Sequence, residues 1–555
     1  MIGVISTSSE GRAVEEFFQL FKTQWEYYVP DHGYDIVVAT CEDVPENLNT
    51  RVLAVYSSDL AGAESIAKES KRQCKWLEWE GNEFPVYGDV AVLKSADQPL
   101  IRVKGTGETV GAGSRESRHR TIRMGFDLFH EVAFLLSQGQ PPENAHIPTL
   151  DIHISFLRSI MVREGISFVE IRPVPAGYDF AACLTHDVDF TGIREHKLDH
   201  TMWGFVYRAL FGSLIDALKG ILPWSKCWQN WKAVFSLPFV YLGLTDDFWL
   251  EFDRYMEIER GLGSTFFFIP FSNYPGSRDS QPAPSRRAAK YDLSKIKEQV
   301  HDLRKNGCEV GLHGVDAWQD AEHARVERDK ITEITGQSEV GVRMHWLYFG
   351  EDSPEALEEA GLRYDSTFGY NDAVGFRAGT SQVFSIPPAK ALLELPLIIQ
   401  DTALFYPGRM HLSEAQAMDS CRHVIRQTAT CGGVLTVNWH TRSLSPERLW
   451  GDFYQRLLGE MQQFRVWFET AGPVVNWFRT RRALRFQKVQ FGVDGLRLKM
   501  TAPVLEGQPA FAVRVYRSTS SSSVGAPLSS APSYCDIPWN GEAELTLLQE
   551  EYSRI

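Results

Sequence analysis

The sequence lacks an apolar run approaching the ~18 residues that a membrane-spanning helix needs. It also lacks a basic excess. Its formal net charge of −14 argues against nucleic acid as a main partner and leaves neutral sugars, peptides and small molecules open. Cysteine is sparse: Cys41, Cys74, Cys183, Cys227, Cys308, Cys421, Cys431 and Cys535 are scattered, with no close-spaced metal-binding pair. That spread fits reduced thiols in a cytoplasm better than a disulfide framework. The N-terminus has no basic segment followed by an apolar core, so no secretory signal is expected and a cytoplasmic location is. A glycine is missing as well. Gly105-Thr106-Gly107 resembles the start of a dinucleotide loop, but the third glycine and a strand–turn–helix frame are absent, which disfavours a nucleotide site.

What is present describes a globular chain with ample core, 43% hydrophobic and 23% charged. A length of 555 residues implies several domains. The 15 tryptophans suit carbohydrate stacking, although large cores use tryptophan too.

The stretch that organises the chain is Phe180 to Asp189, where an apolar run ends abruptly in Thr185, His186, Asp187 and Asp189. This reads as a buried strand delivering its last residues to a site. Asp187 and Asp189 are two apart, so a continuing strand points both to one face. Two carboxylates held together repel unless a cation or a shared proton lies between them. The spacing therefore predicts a metal site with a neighbouring base. The competing reading is a solvated turn, because Asp and Thr are common turn residues.

Residues 1 to 175 read as a mixed α/β region, with strands at 51–56 and 86–93 and helices at 13–25 and 122–136. After Asp189 the periodicity predicts one amphipathic helix over 201–224. A second apolar stretch, 234–244, is broken at Pro238. Together these form either a helical cap over a site or a surface that meets membrane or a partner. From Ser264 onward strands and helices alternate. One strand ends on His313, and another, Val434 to Val437, ends on Asn438, Trp439 and His440. Asp292, Ser353 and Ser413 open the intervening helices. Such alternation predicts a parallel sheet, open or closed, with chemistry at the carboxyl ends of its strands. Asp187, Asp189, His313, Arg343, His345 and His440 all fall at such ends. Beyond Arg482, strand-like alternation at 488–499, 510–516 and 542–548, with a loop at Ser518 to Ser523, predicts a small antiparallel β unit.

Thr185-His-Asp187-Val-Asp189, Ser264-Thr-Phe-Phe-Phe268, Glu309-Val-Gly-Leu-His313 and Val437-Asn-Trp-His440 together resemble the polysaccharide deacetylase (NodB-homology) family. The resemblance implies an α/β fold: a distorted (β/α) barrel over 176–485 carrying a helical insertion at 195–260. An N-terminal α/β domain (1–175) and a C-terminal β-sandwich-like domain (486–555) flank it. It also implies a divalent metal and removal of N-acetyl groups from amino sugars. Carried over by position, Asp187 is the expected general base, Asp189 and His313 metal ligands, Arg343 the residue that orients the base, and His440 the general acid.

One departure matters. The family usually places a second histidine four residues after the first, and position 317 here is Ala317. Catalytic zinc-type sites want three protein ligands. His345 is the expected replacement, and Asp316 the second choice. Mixed nitrogen and oxygen ligands suit Zn, with Ni, Co and Mn also compatible. Asp316, Trp318, Asp372, Arg377, Asp401 and Trp439 are the expected substrate-binding residues, Asp401 alternatively tethering His440 or Arg343. The expected function is a metal-dependent hydrolase removing N-acetyl or O-acetyl groups from an amino-sugar-containing polysaccharide or its precursor. The alternatives are an amidase of the same fold acting elsewhere, or a catalytically weak carbohydrate-binding protein. A carbohydrate substrate, no nucleic acid, and membrane-surface contact through 201–244 are the partners that follow.

Overall fold

The computed structural model describes residues 1–41, 44–45, 47–59, 63–65, 75–93, 98–115, 119–220, 222–278, 281–492, 495–501, 507–517, 534–541 and 544–548. The serine-rich loop expected at 518–523 and Cys74 lie outside them. By contacts the chain divides into two compact units: residues 1–177, 378–384 and 477–555 form one, and residues 178–377 and 385–476 the other.

The first unit is built on a nine-stranded sheet. Trp25–Tyr27, Ile2–Ile5, Tyr34–Ala39, Thr50–Tyr56 and Arg120–Met124 run parallel, and Thr109–Arg115, Gln98–Val103, Lys75–Trp79 and Asn82–Val86 continue it antiparallel. Helices Gly11–Phe21, Leu128–Ser137 and Thr149–Arg163 belong to the same unit. The strand Phe168–Pro175 pairs with Phe511–Tyr516, and that with Tyr534–Trp539. Of the residues expected as a C-terminal β unit, 511–516 and 534–539 thus share a sheet with a strand from before residue 176, while Arg485–Gly492, Gly495–Thr501 and Glu544–Leu548 form a separate antiparallel sheet.

Two local expectations change in this unit. The helix read over 122–136 is a strand to Met124, then a helix opened by Asp127, whose side chain accepts from His130 N. The strand read over 86–93 is two, Asn82–Val86 and Ala91–Leu93. Gly105 and Gly107 have φ of +86° and +73° and form the turn joining two antiparallel strands, a backbone position that favours glycine for steric reasons alone.

In the second unit the strand Phe180–Val188 is central and buried at every residue. A strand covered on both faces has no polar alternation, which is why its sequence reads as a continuous apolar run. On one side lie Ser264–Phe268, Glu309–Gly314 and Val342–Met344; on the other, Val434–Asn438 and Ile399–Gln400. All pair in parallel. Single parallel bridges from Val342 to Asp365 and from Asp365 to Glu394 prolong the curled sheet past its Val342 edge. Helices follow the strands as the capping signals demand. Asp320 accepts from Glu322 N and His323 N to open Ala321–Thr335, which Gly336 ends in the left-handed region. A Ser413–Gln416 capping box opens Glu414–Cys431. Gly341 has to be glycine, because a Cβ there would stand 2.0 Å from the Tyr364 ring.

The insertion corrects two expectations. The single helix over 201–224 is instead His200–Tyr207, a π-helical turn at Arg208–Gly212, and Ser213–Leu218. Pro238 does not break its segment: Trp224–Tyr241 is one helix with the proline in its last turn. The missing N–H forfeits the one ladder bond to Val234 O, and the helix ends three residues later. No described helix is long and apolar enough to cross a membrane.

Candidate metal centre

The site gathers where the parallel strands of the second unit end. Asp189 is the first residue past Phe180–Val188, His313 is near the end of its strand, His345 follows Val342–Met344, and His440 stands two residues past Val434–Asn438. The register Thr185↔Asn438 on one side and His313↔Arg343 on the other brings these ends together.

Three donors converge. His313 Nε2 is 3.4 Å and His345 Nε2 3.3 Å from the same oxygen, Asp189 Oδ1. All three ligand atoms lie within 4.8 Å of one another. Two ligands each about 2.0–2.1 Å from a tetrahedral ion stand roughly 3.3 Å apart, so the spacing is that of a ligand set. Asp189 Oδ1 is buried with no hydrogen-bond partner, which is costly for a carboxylate unless a cation meets it. The His313 tautomer fits too. Its Nδ1 lies 2.9 Å from the Arg343 carbonyl oxygen, which only accepts, so Nδ1 carries the proton and Nε2 keeps its lone pair toward Asp189. Burial pushes His345 down to about 3, so this imidazole stays neutral with a lone pair to give. Burial alone would raise Asp189, but the neighbouring histidines hold it well below the usual carboxylate range. The residues present fit a divalent cation, with two imidazoles and one carboxylate as its ligands.

Trp346 and Leu347, directly after His345, take φ of +64° and +54°. Two consecutive non-glycine residues in the left-handed region are strained, and such strain collects at functional sites.

Asp187 lies beside this cluster, its Oδ2 3.9 Å from His313 Nε2. Arg343 Nη1 donates to Asp187 Oδ1 at 3.0 Å and to Thr185 Oγ1 at 2.8 Å, while Nε and Nη2 are taken by Ser366 O and Oγ. Asn438 Nδ2 donates to Asp187 Oδ2 at 2.7 Å. Burial alone would raise Asp187; the charges of His313, Arg343 and His440 outweigh it and keep the carboxyl below its ordinary value. It remains an ionised acceptor with lone pairs to spare.

His440 faces the cluster from the opposite side, its Nε2 3.9 Å from Asp189 Oδ2. Its Nδ1 is held 2.6 Å from Asp401 Oδ1, and Asp401 Oδ2 accepts the His440 backbone N–H and the Ser443 hydroxyl. Burial alone would lower the imidazole; the Asp401 carboxylate outweighs it and raises it. Asp401 is itself fully buried, so it touches His440 and not the solvent side of the site.

The other residues expected to meet a substrate are placed as follows. The Trp439 indole is fully buried, stacked 5.8 Å from Phe453 and 5.0 Å from Tyr454, and offers no face outward. Asp316 is buried, its oxygens taken by the Tyr274 hydroxyl and by Ser277 N. Trp318 is half-buried against Tyr348. Arg377 donates to Gly369 O and lies over the Phe368 ring, and Asp372 is exposed.

Thr185, Asn438, Ser366 and Ser443 were not foreseen as site residues. Each braces Asp187, Arg343 or Asp401. Thr185 and Asn438 sit inside the quoted motifs, but only strand register reveals their partners. His186, within the opening motif, is fully buried and points away. Its nitrogens are 2.8 Å from Trp439 O and 3.0 Å from Glu259 Oε2.

No model of a protein family and no curated protein matches the chain. Among solved structures it is similar to a protein of Mycobacterium smegmatis described as a polysaccharide deacetylase, at 18% identity and a TM-score of 0.36, over 56% of this chain and 94% of that one. A protein of Pseudomonas aeruginosa PAO1 with the same description is 18% identical over 41% of this chain and 72% of its own, with a TM-score of 0.30. The allantoinase PuuE is 14% identical over 56% and 94%, with a TM-score of 0.32.

Proposed function

We propose that this chain is a metal-dependent hydrolase that removes acetyl groups, N-acetyl foremost, from an amino-sugar-containing polysaccharide or its precursor, on a distorted (β/α) barrel of the polysaccharide deacetylase type. One observation carries the reading: Asp189, His313 and His345 converge on one point, with an ionised carboxylate, Asp187, and a protonatable imidazole, His440, flanking it. The motifs that resemble the family supply the substrate class.

A divalent cation bound there supplies Lewis acidity toward an acyl oxygen and acidity to a water. The protein's own residues do the rest. Asp187, fixed by Arg343 and Asn438, accepts the proton of the attacking water. His440 Nε2 gives a proton to the departing amine, while Asp401 holds Nδ1–H and keeps that tautomer. Water thus adds across the C–N bond, the acetyl group leaves as acetate, and the amine is released protonated.

The test is metal analysis together with acetate release from N-acetylated oligosaccharides. The expected result is about one equivalent of divalent metal per chain and acetate release that Asp187→Asn lowers by roughly 10²–10⁴-fold while metal content stays. Full hydrolysis by Asp187→Asn would remove the base from this reading, and a metal-free chain active after chelation would end it.

A further inference from the structure

The helical insertion carries large apolar side chains on its outer face as well as its inner one. Along His200–Tyr207, Arg208–Gly212 and Ser213–Leu218 the buried positions are Met202, Phe205, Ala209, Ser213 and Ala217. The exposed ones are Trp203, Tyr207, Phe211 and Ile215, with Trp203 57% and Tyr207 62% exposed. These recur every fourth residue and make one stripe. The next helix, Trp224–Tyr241, repeats the arrangement. Cys227, Asn230, Ala233, Leu237 and Val240 are inside, and Trp228, Phe235 and Phe239 are outside, Phe235 at 65% exposure. Between the two helices Ser213 Oγ is 3.5 Å from Cys227 Sγ, and the Trp231 indole N–H donates to Leu210 O.

The inner face forms an ordinary apolar cluster around Phe205, Leu237, Val240 and Trp249, and the outer face leaves a second set of large apolar residues uncovered. Single exposed apolar residues need no explanation, but aromatic stripes on two successive helices do. The charge of the segment narrows the occupant. Between positions 200 and 244, Arg208, Lys219, Lys226 and Lys232 stand against Asp216 alone, in a chain of net charge −14. Arg208 is paired with Glu447 and Lys226 with Glu414 and Asp452, which leaves the exposed Lys219 and Lys232 to face an outside partner. Tryptophan, tyrosine and lysine around an apolar face are the side chains that settle at a lipid headgroup boundary, and the positive segment favours anionic lipid.

We propose that residues 200–244 seat this protein on an anionic bilayer surface, the helices lying in the plane of the interface. The seat is tied to the segment that follows His440. Glu447, in the segment following His440, pairs with Arg208, and its backbone N–H donates to Asn230 Oδ1 at 2.6 Å. The Arg442 guanidinium, two residues past His440, lies 3.8 Å from the Trp249 ring. Resting on the hydrolase reading above, the substrate class becomes an acetylated saccharide carried on a lipid.

The experiment uses the full-length protein with vesicles of phosphatidylcholine alone and of phosphatidylcholine mixed with phosphatidylglycerol. The expected result is flotation with the mixed vesicles, weaker flotation with the neutral ones, and weakening as salt is raised. A Trp203→Ser/Trp228→Ser/Phe235→Ser variant should bind on the order of tenfold more weakly, while keeping its circular dichroism and its acetate release from a soluble N-acetylated oligosaccharide. If that variant misfolds, Lys219→Glu/Lys232→Glu, both on exposed positions, should lose the preference for the anionic vesicles. Absence of flotation with both vesicle types overturns the proposal. So does a dimer in sedimentation that the triple substitution makes monomeric without any vesicle binding, since a second copy then covers the face. Flotation without acetate release leaves the bilayer seat standing and removes the substrate class; acetate release without flotation overturns both the seat and the lipid-carried substrate and leaves only the hydrolase reading.

Discussion

His440 and Asp401 are joined twice. The imidazole Nδ1 lies 2.6 Å from Asp401 Oδ1, and the backbone N–H of His440 donates to Oδ2 at 2.7 Å. The second bond fixes the carboxylate regardless of how the ring titrates, so the ring finds a negative partner already in place. That arrangement makes the imidazole harder to deprotonate than a free one.

Asp401→Asn should keep the acceptor oxygen and lose the charge. The His440 imidazole then falls toward, or below, its ordinary value. Because the proposed acid must be protonated to work, activity should fade at lower pH than in the parent. The expected outcome is an alkaline limb displaced to lower pH, with metal content unchanged. A pH–rate profile of both proteins checks this. An alkaline limb that stays in place would detach His440 from the reaction.

Arg343 is buried and spends its guanidinium on Thr185, Asp187 and Ser366, with the Phe267 ring 4.7 Å away. Arg343→Met would leave Asp187 as a buried carboxylate without its cation. Breaking one side of a buried pair costs about 3–5 kcal/mol. The same change should raise the Asp187 carboxyl, moving the acid limb of activity upward in pH. Urea titration reads the first effect and the pH–rate profile the second; stability within experimental error of the parent would show that the pair contributes nothing.

His313→Ala removes one of three convergent donors, and His345→Ala another. Each should abolish stoichiometric metal. A ligand present at 100 times its dissociation constant stabilises the folded state by about 2.7 kcal/mol. Added Zn²⁺ should therefore raise the melting temperature of the chelated parent protein and leave both variants unmoved. Equal shifts in all three would place the ion elsewhere.

The opening strand and the site were legible because both rest on local signals. An apolar run ending in Asp187 and Asp189 needs no distant information. The expectation for His345 rests on Ala317 standing where the family places a histidine, and His345 Nε2 lies 3.3 Å from Asp189 Oδ1. The braces were not legible. Asn438 reaches Asp187 only because Thr185 and Asn438 are register partners on strands about 250 residues apart, and Ser366 meets Arg343 through an irregular segment with no helical or strand period. Trp439 stands among the expected substrate-binding residues. Alternation along an extended chain turns it to the opposite face, into the stack with Phe453 and Tyr454. The split of the 201–224 helix was hidden for a different reason: a π-helical turn keeps the apolar residues apolar and changes only their phase.

Asp151 lies in the first unit, in the opening turn of Thr149–Arg163, buried at 4% exposure. Its Oδ1 accepts from Thr380 Oγ1 at 2.9 Å and from Gln382 Nε2 at 3.2 Å, while Oδ2 is buried without a partner. Burial raises this carboxyl to about 7. The folded chain thus holds a proton that the unfolded chain has released, so the stability Asp151 contributes is complete below about pH 4 and is lost as pH rises through about 7. A rise of that size corresponds to about 4 kcal/mol once both states are ionised. Asp151→Asn keeps an acceptor for Thr380 and Gln382 and cannot ionise. Glu131 and Glu327, also raised to about 7 by burial, leave some slope in both proteins. The difference between the two proteins should therefore be small near pH 4 and should grow in favour of Asp151→Asn toward pH 8. Denaturant unfolding at several pH values measures that difference directly, and a gap that does not widen with pH would mean the Asp151 carboxyl ionises in the fold as it does in water.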